Sequence, residues 1–400
     1  MQINVGIMNL EESNEFLKWL WANMNKEFDS FKFQYTPSKV SQENRIEFGF
    51  VTIEDVVLEV SISYKTKGSI NNVYFNVPEQ KNEPTSEKVA ELNKRLHSIV
   101  EYCKKNIPVH EDFHFQTPLY SEHPLMSYKG ENFSIQAKGH KESTVSFTVK
   151  AYDYNQALIK FTDKVNNLMD FLSLETNATY KKGKVEVLTA EIVIKPQKEV
   201  YYEEMFIDTF ALKEDHLVVS KEGKEFINKI TDPSLELDND MKIFLKACSH
   251  FHTARCIEQQ MYDDKGEYIV DAAFDGNKTE LATTMYVSAL EVVTLIGFTE
   301  DKCDCCGQSK FQISKRIKEL ASENFPSKMA REFIQYYDKR SKYLHTGMKL
   351  MTEIPSSQLV PVLNPIESSG CEFPFKIYLP HVVPYINVCL RRFYQHKFLK

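Results

Sequence analysis

The stretch Tyr336–Gly347, YYDKRSKYLHTG, places an arginine and a histidine five residues apart and reaches a glycine two residues later. Upstream and within it, Met329, Phe333, Tyr337, Arg340 and Leu344 repeat at helical spacing, with Ser341 and His345 beside that stripe. The pattern predicts an amphipathic helix that stops at Gly347 and leans both Arg340 and His345 inward. His345 then lies in the last turn, near the negative end of the helix dipole, where a protonated imidazole is favoured. On such a helix the two residues stand about 140° apart around the axis and about 7.5 Å apart along it. Three readings fit the spacing. The pair is an exposed arginine with an ordinary helix-terminal histidine, or a buried hydrogen-bonding unit, or a phosphate site. In the last, Arg340 supplies a fixed cation and His345 a proton carrier near neutrality.

Helical periodicity extends over the sequence on both sides of this stretch. From residue 240, DMKIFLKACSHFHTARCIEQQMY carries Met241, Phe244, Leu245, Cys248, Phe251 and Cys256 on one face. KTELATTMYVSALEVVTLIGF repeats the pattern through Leu281, Met285, Ser288, Val292 and Leu295 and ends at Gly297. SKFQISKRIKELAS and VVPYINVCLRRFYQHKF complete a set of five helices, whose connections favour an antiparallel bundle. Residues 1–232 read differently. EESNEFLKWLWANMNKEF is a helix with Ser13-Asn14 as its cap, and TSEKVAELNKRLHSIVEYCKKN is another, capped at Ser86. RIEFGFVTIEDVVLEVSISYKT, INNVYFNV, KVEVLTAEIVIK and the hairpin NFSIQAKGHKESTVSFTVKAY read as strands, and YNQALIKFTDKVNNLMDFLSL returns to helix. The expected fold class is therefore α+β. A mixed strand and helix domain over 1–232 precedes an all-α antiparallel helical bundle over 233–400, with a soft boundary in the turn-rich, acidic TDPSLELDND. Four hundred residues exceed what one core usually supports, which agrees with two domains.

Two segments of the bundle together resemble the HEPN superfamily. YDKRSKYLHTG, in the next-to-last helix, is similar to its R-x4-6-H motif, and CDCCGQSKFQISKRIKELA resembles the matching stretch of the ApeA-like HEPN group of prokaryotic defence proteins. The resemblance covers roughly the last 160 residues, and residues 1–232 match only loosely, as the kind of N-terminal domain such proteins carry. It implies a HEPN-type bundle that dimerises and cleaves RNA without a metal. The RNA's own 2′-hydroxyl attacks the adjacent phosphorus, with His345 as general base or acid and Arg340 holding the charge that builds on the non-bridging oxygens. It further implies transfer RNA or messenger RNA as target, a role in host protection against phage, and a phage-derived trigger sensed by the first domain. Glu291 stands where HEPN helices often carry an acidic residue, and is a brace for Arg340 or His345 or else a solvated glutamate. Two departures matter. Ser341 follows the arginine where active members often carry Asn, Asp or His, so it offers a hydroxyl but no charge. Gly347 replaces the tyrosine that nucleotidylation-silenced members carry two residues after the histidine, which argues against that control. The runner-up function is a non-catalytic HEPN module that binds nucleotide or RNA, or dimerises. A zinc-dependent or thiol enzyme is a third.

Charge and cysteine usage complete the expectations. The chain carries a net charge of -7, which argues against nonspecific coating of nucleic acid, yet residues 301–348 hold ten Lys/Arg against six Asp/Glu. Lys315, Arg316, Lys318 and Lys342 are the candidate RNA-binding cations of that local patch, each otherwise an ordinary exposed side chain. KCDCCGQ gives Cys303 and Cys306 the spacing of half a structural zinc site, with Cys248, His250, His252, Cys256 or Cys371 as the distant partners it needs. Otherwise these are three thiols in an exposed loop. No cofactor is expected for catalysis. HEDFH, with His110 and His114 four apart, lies between Pro108 and Pro118 and is not expected to form a metal helix. No run is long and apolar enough to cross a bilayer, and the first residues lack a signal-peptide pattern, so the chain is expected in the cytoplasm with no membrane partner.

Overall fold

A computed structural model of the chain describes residues 1–6, 9–28, 31–40, 44–64, 68–79, 84–106, 108–188, 199–260, 275–299, 301–302, 305–306, 309–310, 312–347, 362–363, 365, 371–372 and 379–399. It is a mixed α+β chain with antiparallel sheets. Two compact units divide it: Met1–Phe113 with Lys150–Lys160, and His114–Val149 with Phe161–Lys400. That division does not follow the 232/233 boundary expected from the sequence.

The first unit begins with β1 (Gln2–Asn4) and α1 (Leu10–Phe28), followed by β2 (Lys32–Val40), β3 (Arg45–Ile53), β4 (Val56–Ser63), β5 (Asn72–Asn76) and α2 (Ser86–Lys105). The strands form one antiparallel sheet in the order β1-β5-β4-β3-β2. Alternation along β4, broken only by the buried Ser61, explains it: Val56, Leu58, Val60 and Ile62 are buried among Phe16, Leu20 and Met24 of α1 and Leu92, Leu96 and Val100 of α2. Both helix starts lie earlier than the sequence suggested, α1 by at least four residues and α2 by one. Asn9 caps α1 by accepting from the Glu12 amide at 2.8 Å, while Ser13 is buried inside the helix and accepts from the Ile70 amide. Thr85, not Ser86, caps α2.

The second unit contains most of β6 (Glu111–Tyr120), then β7 (Tyr128–Lys129), β8 (Phe133–Ala137), β9 (Glu142–Ala151), the greater part of α3 (Tyr154–Thr176), β10 (Lys181–Lys182) and β11 (Glu186–Val187). These strands share a sheet in the order β10-β6-β9-β8-β7, with β11 also on β6. HEDFH therefore enters a strand, not a helix. Of the expected strand over 184–195, only Glu186–Val187 is formed; Lys184, Val185 and Leu188 are outside any strand, and 189–195 lie outside the described residues. A small pair, β12 (Leu212–Lys213) and β13 (His216–Leu217), leads into α4 (Lys221–Thr231), a helix the sequence reading missed. Ser220 caps it through the Gly223 amide. Then come α5 (Asn239–Gln259), α6 (Asp275–Val293), the two-residue strands β14 (Asp301–Lys302) and β15 (Ser309–Lys310), α7 (Ile313–Asn324) and α8 (Ser327–Thr346). β16 (Val362–Leu363), β17 (Cys371–Glu372) and α9 (Leu379–Phe398) complete the order. The five helices from α5 to α9 fall in the expected segments, although α6 stops at Val293, before Gly297, and α7 starts at Ile313. Two short antiparallel ladders, β14 with β15 and β16 with β17, correct the expectation of a region without strands.

The reason 114–149 belongs with the helical region is α3, which buries one stripe through Ala157, Phe161, Val165 and Leu168 and is buried on every side from Phe171 to Thr176. Phe161 packs on Phe115 and Phe147 of the sheet, at ring centroids of 5.2 and 4.4 Å. Nearly three turns onward, Phe171 meets Phe226 of α4, Phe244 of α5 and Tyr394 of α9. A few residues further, the fully buried Glu175 takes four hydrogen bonds. Its Oε1 accepts from Arg391 Nε at 3.2 Å and Tyr394 OH at 2.7 Å, and its Oε2 accepts from the Ser220 amide at 3.1 Å and Ser220 Oγ at 2.6 Å. Arg391, also buried, spends Nη1 on the carbonyls of Glu204 and Met205. Removing one member of such a pair leaves an uncompensated charge in the core. Arg391→Ala is expected to lower stability by about 3–5 kcal/mol in urea unfolding, far more than an exposed arginine would. A loss below about 1 kcal/mol would show that the pair contributes nothing beyond its packing.

Candidate functional site

The site forms where α6 packs against α8. Ser288 and Glu291 lie three residues apart on α6, so they share a face. Arg340 of α8 reaches that face: its Nη2 donates to Ser288 Oγ at 2.9 Å, and its Nη1 lies 2.7 Å from Glu291 Oε2 as an ion pair. The pair is held within the fold, with 16% of the arginine side chain and 21% of the glutamate exposed. Glu291 Oε2 and Arg340 Nε make no hydrogen bond to the described residues. Of the two alternatives left open for Glu291, the bracing contact to Arg340 is the one formed.

His345 lies elsewhere. It is exposed in the last turn of α8, which ends at Gly347 in the left-handed conformation (φ +69°), with the Gly347 amide donating to the Tyr343 carbonyl at 3.0 Å. The five-residue offset therefore turns Arg340 inward and His345 outward, which corrects the expectation that both lean inward. Leu344, placed on the apolar stripe by spacing, is 50% exposed beside it. On α6 the buried face runs through Ala282, Tyr286, Ala289, Leu290 and Val293, rotated from the expected stripe, and Leu281 and Leu295 are exposed. The rotation follows from α6 packing on α5 and α9 at once, which a single periodic stripe cannot express. Ser341 is half-buried and Lys342 exposed.

The candidate RNA-binding cations separate into two kinds. Lys315 and Lys318 are exposed on α7, with Lys315 3.9 Å from Glu319. Arg316 is instead folded against the protein. Its Nη1 donates to the Thr294 carbonyl at 3.1 Å and its guanidinium lies 4.1 Å from the centre of the Phe298 ring. Burial holds Arg316 below its ordinary pKa, while Glu291 pulls the other way. His250 of α5 is also part of this neighbourhood. Burial, then Lys246 and Arg340, hold its pKa below the usual histidine value, against a weaker pull from Asp170. Sequence reasoning offered His250 only as a zinc partner. Its electrostatic link to Arg340 had no local signal, because it depends on how α5 packs.

Cys303 lies outside the described residues, and Cys306 is exposed in a turn. Of the proposed partners, Cys248 is fully buried. His252 uses both ring nitrogens, Nδ1 with Asp170 at 2.8 Å and Nε2 as acceptor from the Tyr180 amide at 3.1 Å. Cys371 lies in β17. Among the described residues no group of three His, Cys, Asp or Glu is placed to hold a metal ion. No helix among them is long and apolar enough to cross a membrane.

No protein-family model matches the chain, and comparison with curated proteins finds no match. The functional reading therefore stands on the residues themselves.

The inward and outward placements have different consequences for stability. Arg340→Ala strands Glu291 without its cation and is expected to lower stability by about 1–3 kcal/mol. His345→Ala should stay within about 0.5 kcal/mol of the parent. Urea unfolding of both variants checks this, and equal losses would contradict the placement.

Proposed function

We propose that the chain is a metal-independent endoribonuclease of the HEPN type, acting in defence against phage. The observation that carries this reading is Arg340, a guanidinium fixed by Ser288 and Glu291 on the same helix that exposes His345 near its end. In the proposed reaction the RNA's 2′-oxygen bonds to the adjacent phosphorus as the bond to the 5′-oxygen breaks, giving a 2′,3′-cyclic phosphate and a 5′-hydroxyl. His345 removes the 2′-hydroxyl proton or delivers one to the leaving oxygen. Arg340 stabilises charge on the non-bridging oxygens, and Glu291 acts as its positioning residue. Ser341 can hydrogen-bond a phosphate oxygen. Because Arg340 turns inward and His345 outward, one chain alone is poorly arranged to bring both to one phosphate. Two copies facing each other through their α8 helices would supply Arg340 from one and His345 from the other. The exposed Leu344 beside His345 is consistent with a surface covered in that way. Transfer RNA or messenger RNA would be the substrate, and the first unit would hold the enzyme inactive until a phage-derived signal arrives.

The second reading is a non-catalytic RNA- or nucleotide-binding module. It is favoured by Glu291, which already balances the Arg340 charge. Labelled RNA incubated with the protein in EDTA separates the two. The enzyme predicts cleavage that resists EDTA, leaves cyclic phosphate ends and falls about 100-fold or more in both Arg340→Ala and His345→Ala. Binding without cleavage would support the module. Activity lost in EDTA, or on changing Cys306, with Arg340 dispensable, would overturn both in favour of metal or thiol chemistry.

A further inference from the structure

The second unit gathers lysines at one end of its six-stranded sheet. KGHKE over 138–142 and YKKGK over 180–184 hold five lysines against one carboxylate, Glu142, in a chain whose net charge is -7. Strand pairing brings the two stretches to the same place. Lys181 lies directly across the ladder from Tyr120, and Lys182 from Leu119. On the other side of β6, the Ser121 amide donates to the Lys141 carbonyl at 3.1 Å, and the Lys138 amide closes the hairpin onto the Glu142 carbonyl at 3.0 Å. From β10 to β8 is three strand spacings, about 14 Å. The second stretch is fixed to β6, since the Gly183 amide donates to the Pro118 carbonyl at 2.8 Å and Thr117 Oγ1 to the Gly183 carbonyl at 3.2 Å. A Cβ on Gly183 would stand 2.7 Å from Pro118 Cγ and 3.3 Å from Tyr120 Cε2, so the Tyr120 ring lies against that glycine, with 44% of the residue exposed. Lys138, Lys141, Lys181 and Lys184 are exposed and Lys182 is half-buried. Among the described residues none of the five ammonium groups has a hydrogen-bond or ion-pair partner. Lys213, Lys224 and Lys229 of the same unit, by contrast, each donate to a backbone carbonyl. The other carboxylates on these strands are engaged or set apart. Glu122 accepts from the Thr179 amide at 2.9 Å and from Thr179 Oγ1 at 3.0 Å. Glu186 sits across from Gln116, about 13 Å along β6 from Tyr120.

We propose that this sheet end is a binding surface for single-stranded nucleic acid, with the lysines on successive phosphates and the Tyr120 ring stacked on a base. Positive charges gathered without counter-ions repel one another, and a polyanion is the partner that removes the repulsion and releases its own bound cations. A phosphate chain alone would account for the lysines. The exposed ring between the two lysine-bearing stretches adds a flat apolar face, which an unstacked base can cover and a paired one cannot. A membrane surface would call for apolar side chains projecting beyond the lysines, and Tyr120 instead lies against Gly183. The inference deepens the proposed function and rests on it for the natural strand, RNA. It gives the enzyme a non-catalytic hold on its substrate, far in sequence from Arg340 and His345, and that hold can be measured without cleavage.

The test is titration of the full-length chain with a fluorescent 2′-O-methyl RNA strand, which has no free 2′-hydroxyl to attack, over a series of salt concentrations. The same titration is run with its duplex and with phosphatidylglycerol vesicles, and the single strand should bind most tightly. Lys138→Gln, Lys141→Gln and Lys181→Gln together should weaken it about tenfold or more and flatten the slope of log affinity against log salt by about 2, the share of three phosphate contacts. Tyr120→Ala should weaken binding about fivefold to a hundredfold with the salt slope unchanged, and Tyr120→Phe should bind like the parent. Lys26→Gln, Lys88→Gln and Lys94→Gln together remove the same charge from exposed positions of the first unit and should change neither quantity. In the unsubstituted protein, photo-cross-linking to a strand carrying 5-iodouridine should attach the peptide that contains Tyr120, which holds even if a variant fails to fold. Equal losses in the two lysine triples, tighter binding of the duplex, or cross-links confined to other peptides would each overturn the surface. Vesicle binding that depends on these lysines, without strand binding, would overturn it in favour of a lipid contact. Lysine-dependent strand binding with no cleavage of unmodified RNA would keep the surface and remove the ribonuclease. Cleavage at limiting RNA that is unaltered by the Lys138, Lys141 and Lys181 substitutions would do the reverse.

Discussion

The arrangement of the second unit depends on a carboxylate with no access to water. Glu175 closes α3, and its four hydrogen bonds join that helix to the start of α4 and to the middle of α9. A buried charge of this kind is costly unless every lone pair is used, and here the acceptors and donors are matched within one network. The aromatic cluster of Phe171, Phe226, Phe244 and Tyr394 surrounds it with apolar surface. Bulk at Gly223 is excluded by the same crowding, since a Cβ there would meet Glu175 Oε2 at 2.3 Å. Packing supplies most of the stability, and the ion pair fixes which helix ends meet.

From that anchor the geometry passes outward to the candidate site. α9, held by Arg391 and Tyr394, packs on α6, and Arg392 donates to the Asn324 carbonyl at the end of α7. Phe325, just after α7, stacks on Phe333 of α8 and meets Tyr385 of α9 edge-on. α8 is thus oriented by apolar contacts near its start, and Arg340 is the polar contact that fixes its later turns to α6. Beyond Arg340 the helix has Leu344 and His345 facing outward, so its last turn offers a surface while the turn before it makes the attachment.

Much of this was legible in the sequence, and the limits have physical causes. The five later helices were readable because each carries an apolar periodicity, and the end of α8 because Gly347 takes a left-handed conformation that suits a helix stop. Glu291 was offered as a brace for Arg340 or His345 only through the HEPN resemblance, and its ion pair with Arg340 needed the packing of α6 on α8 to be seen. The face of α6 was misjudged because that helix is packed on more than one side, and periodicity reports one. Residues 114–149 were grouped with the first unit because the strand-bearing part of the sequence was set apart from the all-helical part, whereas α3 packs on the sheet through Phe161 and on the later helices through Phe171. Arg316 looked like any exposed cation, since its partners Thr294 and Phe298 come from the turn after α6 and meet it only through folding. Glu175 gave no signal, because a glutamate near a helix end reads as a solvated charge.

The claim on which the functional account turns is that Arg340 and His345 meet at a phosphate only across two copies of the chain. Its most direct test is to mix Arg340→Ala protein, which retains His345, with His345→Ala protein, which retains Arg340, and to measure RNA cleavage. Each variant alone should be inactive. The mixture should regain a substantial fraction of the parent rate, following the share of mixed pairs. A mixture as inactive as its components, under conditions where the two variants exchange partners, would contradict the account.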